Sequence, residues 1–245
     1  MNPPLLLIPT PVELQWAGPS VEQLMRGVRV ELCGFGPVVA GSRTMQLIER
    51  YRPSGVWLVG IAGAYTSELD LGAAYEFSQV GLYGVGVGSG CEHQTLGELG
   101  WEQWSAAEGE EASSAIGDLL TGGGADASQR PPQIGSLQIG PLPEQRVGDP
   151  AAAGRYLLTV CAAAAGPDDV ARRLEKYPQA LAEDMEGFAV AAACHLAGVP
   201  WRIVRGISNR AGDRDHRRWQ AREAMRAAVS LARAGLPAPL SSEGD

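Results

Sequence analysis

The sequence predicts an α/β fold: a single three-layer domain in which helices flank a central mixed, largely parallel sheet. Three observations predict it. Short continuous apolar runs such as LLLIP, residues 5–9, mark strands covered on both faces. Helix-length segments alternate with these runs, the order that sets helices on both sides of a sheet. The 32 glycines and 17 prolines among 245 residues supply the tight connections that such alternation needs.

The first strand covers 5–9 and the second 28–32. A helix over 38–51 follows Gly34-Phe-Gly-Pro37 and is closed by Pro53. The third strand, 56–59, runs into a glycine-rich turn, Gly60-Ile-Ala-Gly63. A fourth strand covers 75–86 and a fifth 155–160. Helices follow over 167–177 and 184–197, the second stopped by Gly198 with Pro200 just beyond. The sixth strand covers 202–207, and Asn209 stands where the chain turns after it. A last helix, 215–234, stops at Gly235 and Pro237. The domain spans 1–235, and 236–245 is a frayed tail. Residues 105–150, rich in Gly, Ala, Ser and Pro without periodicity, form either a long surface excursion or a lid.

A formal net charge of −8 leaves no basic excess to neutralise phosphates, which argues against nucleic acid and anionic membrane as partners. MNPPLLLIPT lacks a basic n-region, and no stretch reaches the roughly 20 apolar residues that span a bilayer; a cytoplasmic protein is expected. Cys33, Cys91, Cys161 and Cys194 form no CxxC pair and read as free, mostly buried thiols of a reducing compartment. GVGVGSG at 84–90 lacks the Lys-Ser/Thr of a P-loop, and GFGPVVAG at 34–41 holds only part of a dinucleotide fingerprint. No cofactor is expected. Nor is a metal: His93 has no ligand spacing around it, and His195 reads as a packed core residue.

Two stretches carry candidate chemistry. Glu183-Asp-Met-Glu-Gly-Phe188 opens an otherwise small, apolar helix. Favourable interaction with the helix dipole accounts for Glu183 and Asp184, but less well for Glu186, which enters a helix too apolar for the surface. A buried carboxylate needs hydrogen-bond donors, and the paired hydroxyls of a sugar are such donors. Arg205, in the apolar strand WRIVRGIS, likewise needs a partner, either Glu186 or a ligand. The Gly60–Ala64 turn lets a ligand approach the backbone at a strand end, or serves packing alone.

EDMEGFAVAAACHLAGVPWRIVRGISN resembles the signature of the purine nucleoside phosphorylase/nucleosidase superfamily. Its layout is most similar to that of the bacterial 5′-methylthioadenosine/S-adenosylhomocysteine nucleosidases. The resemblance extends to IPTPVE, GFGPVVA and GIAGA followed by DLG, and fades between about 90 and 150. It implies a small-molecule nucleoside substrate and a homo-oligomer, and it implies residue roles. Glu186 would hold the ribose 2′- and 3′-hydroxyls, with Met185 packed beneath the ribose. Arg205 would orient Glu186 or the attacking water, and Glu13 would be the general base for that water. Ala62 and Gly63 would lend backbone to the water and sugar site. Related phosphorylases hold phosphate through an Arg and a Ser or Thr at positions that are Leu58 and Ile61 here, which favours hydrolysis over phosphorolysis.

Asn209 replaces the Asp that the resemblance leads one to expect beside the purine. An amide donates N–H bonds to O6 or N7 of a 6-oxopurine; an ionised carboxylate has nothing to donate. Asn209 therefore predicts hypoxanthine, or less so guanine, as leaving base, unless it only caps a turn. The other readings are release of adenine from methylthioadenosine or S-adenosylhomocysteine, and purine-nucleoside binding without catalysis. Arg210, Arg214, Arg217, Arg218 and His216 form either a carboxylate clamp or a solvated helix start. Trp101 and Trp104 either cover an aromatic ring of the substrate or belong to core or interface.

Overall fold

A computed structural model describes residues 2–18, 21, 27–105, 115–122 and 155–236. The elements in chain order are β1 (Leu5–Ile8), α1 (Pro11–Ala17), β2 (Arg29–Leu32), α2 (Pro37–Tyr51), β3 (Val56–Ala64), β4 (Ala74–Phe77), β5 (Gln79–Tyr83), β6 (Gly86–Val87), β7 (Gln94–Thr95), α3 (Leu96–Leu99), β8 (Leu119–Thr121), β9 (Tyr156–Val160), α4 (Pro167–Lys176), β10 (Ala180–Asp184), α5 (Gly187–Leu196), β11 (Trp201–Arg210) and α6 (Ala221–Gly235). The fold is the expected α/β arrangement, a mostly parallel sheet between helices.

The main sheet runs β2-β1-β3-β10-β9-β5-β8, with β11 beside β3 and β4 beside β11. β1 pairs in parallel with β2 and β3, as β11 does with β3 and as β9 does with β5 and β10. β3 is the pivot. Its first residues lie between β1 and β11, whereas Gly63 and Ala64 pair antiparallel with β10. The sheet therefore opens where β3 changes neighbours, and Gly63 sits between Glu183 on one side and Asn209 on the other.

Side-chain alternation builds the layers. Leu5, Leu7 and Leu58 join Leu47 of α2 and Phe188, Val190 and Ala191 of α5 in one core. Leu6, Ile8, Trp57 and Val59 face the other way, onto Ala17 of α1 and Met225, Ala228, Val229 and Ala232 of α6. These apolar runs were legible as strands because each buries both faces.

Several expectations need correction. Gly60–Gly63 is not a turn: β3 continues in ladder pairing through Ala64. Asn209 is not at a turn either; it lies within β11, paired with Gly63 just after a register shift at Ser208. The expected fourth strand is broken at Ser78 into β4 and β5. Ala180–Asp184 is a strand, so the helix expected from 184 begins at Gly187. Alanine-rich ALAED has helix-forming composition, but pairing with β9 and β3 overrides it. The last helix starts at Ala221, after a 3₁₀ turn at His216–Arg218. Cys33 and Cys194 are buried as expected, but Cys161 and Cys91 are exposed. Most of the 105–150 excursion and the tail beyond Leu236 lie outside the described residues.

Candidate active site

Arg205 is the centre of the site. It is fully buried in β11, and its partner is a residue that the sequence did not single out. Nε and Nη2 donate to Asp184 Oδ2 at 3.0 and 2.5 Å, and Nη2 also reaches Glu186 Oε2 at 3.2 Å. Asp184 ends β10 and is held from two further sides, by Thr159 Oγ1 at 2.7 Å and the Gly187 N–H at 2.8 Å. The acid read as a helix-dipole partner is thus a buried counter-ion. Burial alone would lower the guanidinium pKa; Asp184, Glu186 and Glu13 outweigh it and raise it.

Glu186 immediately precedes α5, outside helical geometry. Its Oε1 accepts from the Gly36 N–H at 3.0 Å, so the GFGP segment reaches the site through its backbone. Burial pushes the carboxyl up to about 7, against the opposing pull of Arg205. Near neutrality it therefore exchanges between ionised and protonated forms.

Glu13 lies in the first turn of α1, where Thr10 both caps the helix and donates Oγ1–H to Glu13 Oε2 at 2.7 Å. The Ile61 N–H donates to Oε1 at 3.1 Å. Desolvation raises this carboxyl above its ordinary range, which suits a group that must take a proton. Between Glu13 and Arg205 stands Gly60. A Cβ there would fall 2.0 Å from Arg205 Nη1 and 2.8 Å from Glu13 Oε1. Arg205 Nη1 has no partner among the described residues. A buried guanidinium N–H and a carboxylate oxygen thus converge on a position that only a glycine leaves open.

Asn209 is nearly buried, and its amide is oriented by its surroundings. Oδ1 lies 2.7 Å from the Ser208 hydroxyl, which is also 3.1 Å from the Ala62 carbonyl. Nδ2 donates to the Arg210 carbonyl at 2.8 Å and lies 3.5 Å from that of Asp213. The second N–H is held only by the long contact.

A second buried pair stands beside the first. Glu183 accepts from Arg173 of α4, from Tyr65 Oη at 2.7 Å and from the Ala164 N–H at 2.8 Å. Two adjacent acids ending a strand were the available signal for both pairs, and the helix-dipole reading obscured it.

The structure brings Glu13 and Arg205 together at Gly60 and Glu186 onto Arg205, with Ala62, Gly63 and Asn209 on the neighbouring β3 and β11 ladder. Met185 is half-buried and packs towards Tyr156, Leu158 and Val160. Leu58 is sealed in the core, and Ile61 contributes its backbone N–H to Glu13. The basic cluster is largely engaged in its own loop. Arg217 and Arg218 pair with Asp215 and Asp213, Arg214 lies over Trp219, and Arg210 bonds the Thr66 and Leu69 carbonyls. Trp101 and Trp104 are about half exposed, and His195 is only half-buried, not packed in the core as expected. No group of three or more potential metal ligands occurs among the described residues.

The strand ends of a branched sheet thus gather buried carboxylates around one arginine. The family model described as Phosphorylase superfamily matches residues 142–236, which bears out the resemblance read from the sequence. Among individual proteins, the chain is 27% identical to the 5′-methylthioadenosine/S-adenosylhomocysteine nucleosidase of Aeromonas salmonicida over 73% of this chain and 66% of that one. It is 47% identical to the futalosine hydrolase of Acidothermus cellulolyticus over 28% of this chain and 27% of that one. The nucleosidase of Colwellia psychrerythraea, solved with adenine, superposes with a TM-score of 0.66 at 17% identity, covering 95% of this chain and 94% of that one. The futalosine hydrolase of Helicobacter pylori does so with 0.65 at 13% identity, covering 95% and 96%. No helix among the described residues is long and apolar enough to cross a membrane.

Proposed function

We propose that the protein hydrolyses the N-glycosidic bond of a purine nucleoside, and that its substrate is futalosine, cleaved to hypoxanthine and dehypoxanthine futalosine in the alternative route to menaquinone. The observation that supports hydrolysis is the desolvated Glu13 carboxylate set across Gly60 from the Arg205 guanidinium, so close that no side chain fits between them. A water bound beside Glu13 would donate to its carboxylate, so Glu13 takes a proton as the water oxygen bonds C1′ and the C1′–N9 bond breaks; the electron pair of that bond leaves with the purine, which takes its proton from solvent. Glu186 accepts the ribose hydroxyls and, ionised, stabilises the positive charge that develops on the ring. Leu58 and Ile61 offer no side chain to a phosphate, which favours water as nucleophile.

Asn209 supports a 6-oxopurine. Its Nδ2 lies among carbonyl oxygens, so that end is a donor, and one of its N–H groups is held only by the 3.5 Å contact. The string that runs from EDMEGFAVA through VRGISNRAGDRD resembles futalosine hydrolase, and the short, 47% identical match points the same way. A second reading is 5′-methylthioadenosine/S-adenosylhomocysteine cleavage, favoured by relatives of that name matching over 73% to 80% of the chain.

The experiment is base release in phosphate-free buffer from futalosine, inosine and methylthioadenosine. Hypoxanthine from futalosine, abolished in Glu186→Ala and Glu13→Gln, is the expected result. Adenine release from methylthioadenosine alone would replace the first reading with the second. A near-wild-type rate in Glu186→Ala would sink both.

A further inference from the structure

We propose that the buried Arg173–Glu183 pair is a positioning device for base selection, acting on Asn209 through two loops in contact. The inference rests on the reading of Asn209 as the donor to the base. Glu183 and Asp184 are neighbours on β10 and therefore face opposite sides of the sheet. Asp184 serves Arg205; Glu183 serves the loop after β9. Arg173 bonds Glu183 and, with Nη2, the Ala162 carbonyl at 2.7 Å, while the Ala164 N–H donates to Glu183 Oε1 at 2.8 Å. Tyr65 Oη closes the cluster from the end of β3. Both a carbonyl and an N–H of the 161–166 loop are thus fastened to one buried ion pair.

Such a pair adds little stability over apolar packing, so its geometry is the feature to explain. The fastened loop continues to Gly166, whose backbone touches Gly212: a Cβ at Gly212 would lie 3.0 Å from the Gly166 carbonyl carbon and oxygen. Gly212 sits between Arg210 and Asp213, whose carbonyls flank Asn209 Nδ2. Ala211 of the same loop packs on Gly63. One layer of backbone therefore separates the ion pair from the amide that faces the base. Loosening 161–166 frees 210–213 to shift and lets the Asn209 amide rotate. Glu13, Glu186 and Arg205 are held by separate contacts and keep their arrangement.

The test uses the full chain with Arg173→Lys, Arg173→Met and, as control, Lys176→Ala, which removes the exposed Lys176–Glu98 pair from the same helix. Arg173→Lys keeps a charge for Glu183 but has no second nitrogen for Ala162. The readouts are kcat and KM for hypoxanthine release from futalosine and adenine release from methylthioadenosine, with thermal midpoints by circular dichroism. Arg173→Lys is expected to lose about tenfold in hypoxanthine-over-adenine selectivity, carried by KM for futalosine, with kcat within about threefold and the midpoint nearly unchanged. The control keeps wild-type selectivity. A merely structural pair would lower the midpoint and leave selectivity alone. Should Arg173→Met fail to fold, Arg173→Lys decides. Selectivity kept within about twofold in the folded variants overturns the inference alone. Wild-type protein that releases no base from futalosine or methylthioadenosine overturns the functional reading and the inference with it.

Discussion

Gly60→Ala is the sharpest single perturbation of the site. The added Cβ would fall 2.0 Å from Arg205 Nη1, 2.8 Å from Glu13 Oε1 and 3.2 Å from Pro9 Cδ. Arg205 is fully buried and fastened to Asp184 by two hydrogen bonds, so its guanidinium has no room to yield. Overpacking a core costs about 1–3 kcal/mol, and losing one charge-assisted hydrogen bond adds about 1.5–3 kcal/mol. A destabilisation of roughly 3–5 kcal/mol follows, or on the order of 10 °C in Tm for a domain of this size. Because the methyl group occupies the space between Arg205 and Glu13, kcat/KM falls by about 100-fold or more. Urea unfolding and base-release kinetics measure the two effects. Gly117→Ala, where a Cβ meets nothing within 4 Å, is the matched control and stays within about 0.5 kcal/mol of wild type. A Gly60→Ala protein with wild-type Tm and near-wild-type kcat/KM would refute the convergence of Arg205 and Glu13 on that position.

Other expectations follow from the same geometry. Glu186, pushed up to about 7, works ionised, so kcat/KM rises with pH through about 7; ribose hydroxyls favour the ionised form, so the limb in kcat lies at lower pH. A pH–rate profile flat from 5 to 8 by rough span would contradict this. The raised value also means that the folded state binds more protons than the unfolded chain between the ordinary carboxylate range and about 7. Glu186 therefore costs stability as pH rises through that window, and Glu186→Gln should flatten the corresponding part of the stability curve. Asn209→Asp sets a carboxyl oxygen against the Arg210 and Asp213 carbonyls, which favours the protonated form; hypoxanthine release in this variant should recover as pH is lowered. Asp184→Asn leaves the Arg205 charge unbalanced and should cost about 3–5 kcal/mol by urea unfolding. With Leu58 and Ile61 at the phosphate positions, added phosphate should leave the rate of base release unchanged.

How much was legible depended on how locally each feature is written. Strands buried on both faces, such as Leu5–Ile8, and helices with clear stops, such as Pro37–Tyr51, could be read because their patterns are local. Glu186 and Arg205 stood out as charges in apolar settings, Glu13 only through the family resemblance, and the three do come together. Ala180–Asp184 was missed because alanine favours helix and only its pairing with two distant strands makes it extended. With that strand went the counter-ion role of Asp184 and the whole Glu183–Arg173 cluster. Gly60 was read as part of a turn because the reason for a glycine inside a strand is a guanidinium 145 positions later in the chain (205 against 60).

The two adjacent acids at the end of β10 also act on the folding of the sheet. Slide that strand by one residue in one direction, and Ala182 takes the place of Glu183, leaving Arg173 without a carboxylate. Slide it the other way, and Met185 replaces Asp184, so Arg205 loses its closest partner. Either slip strands a buried guanidinium at a cost of several kcal/mol. A strand of small, weakly specifying alanines thus has its alignment enforced from both faces by charge, so that Glu186, two residues on, reaches the ribose position in a single frame.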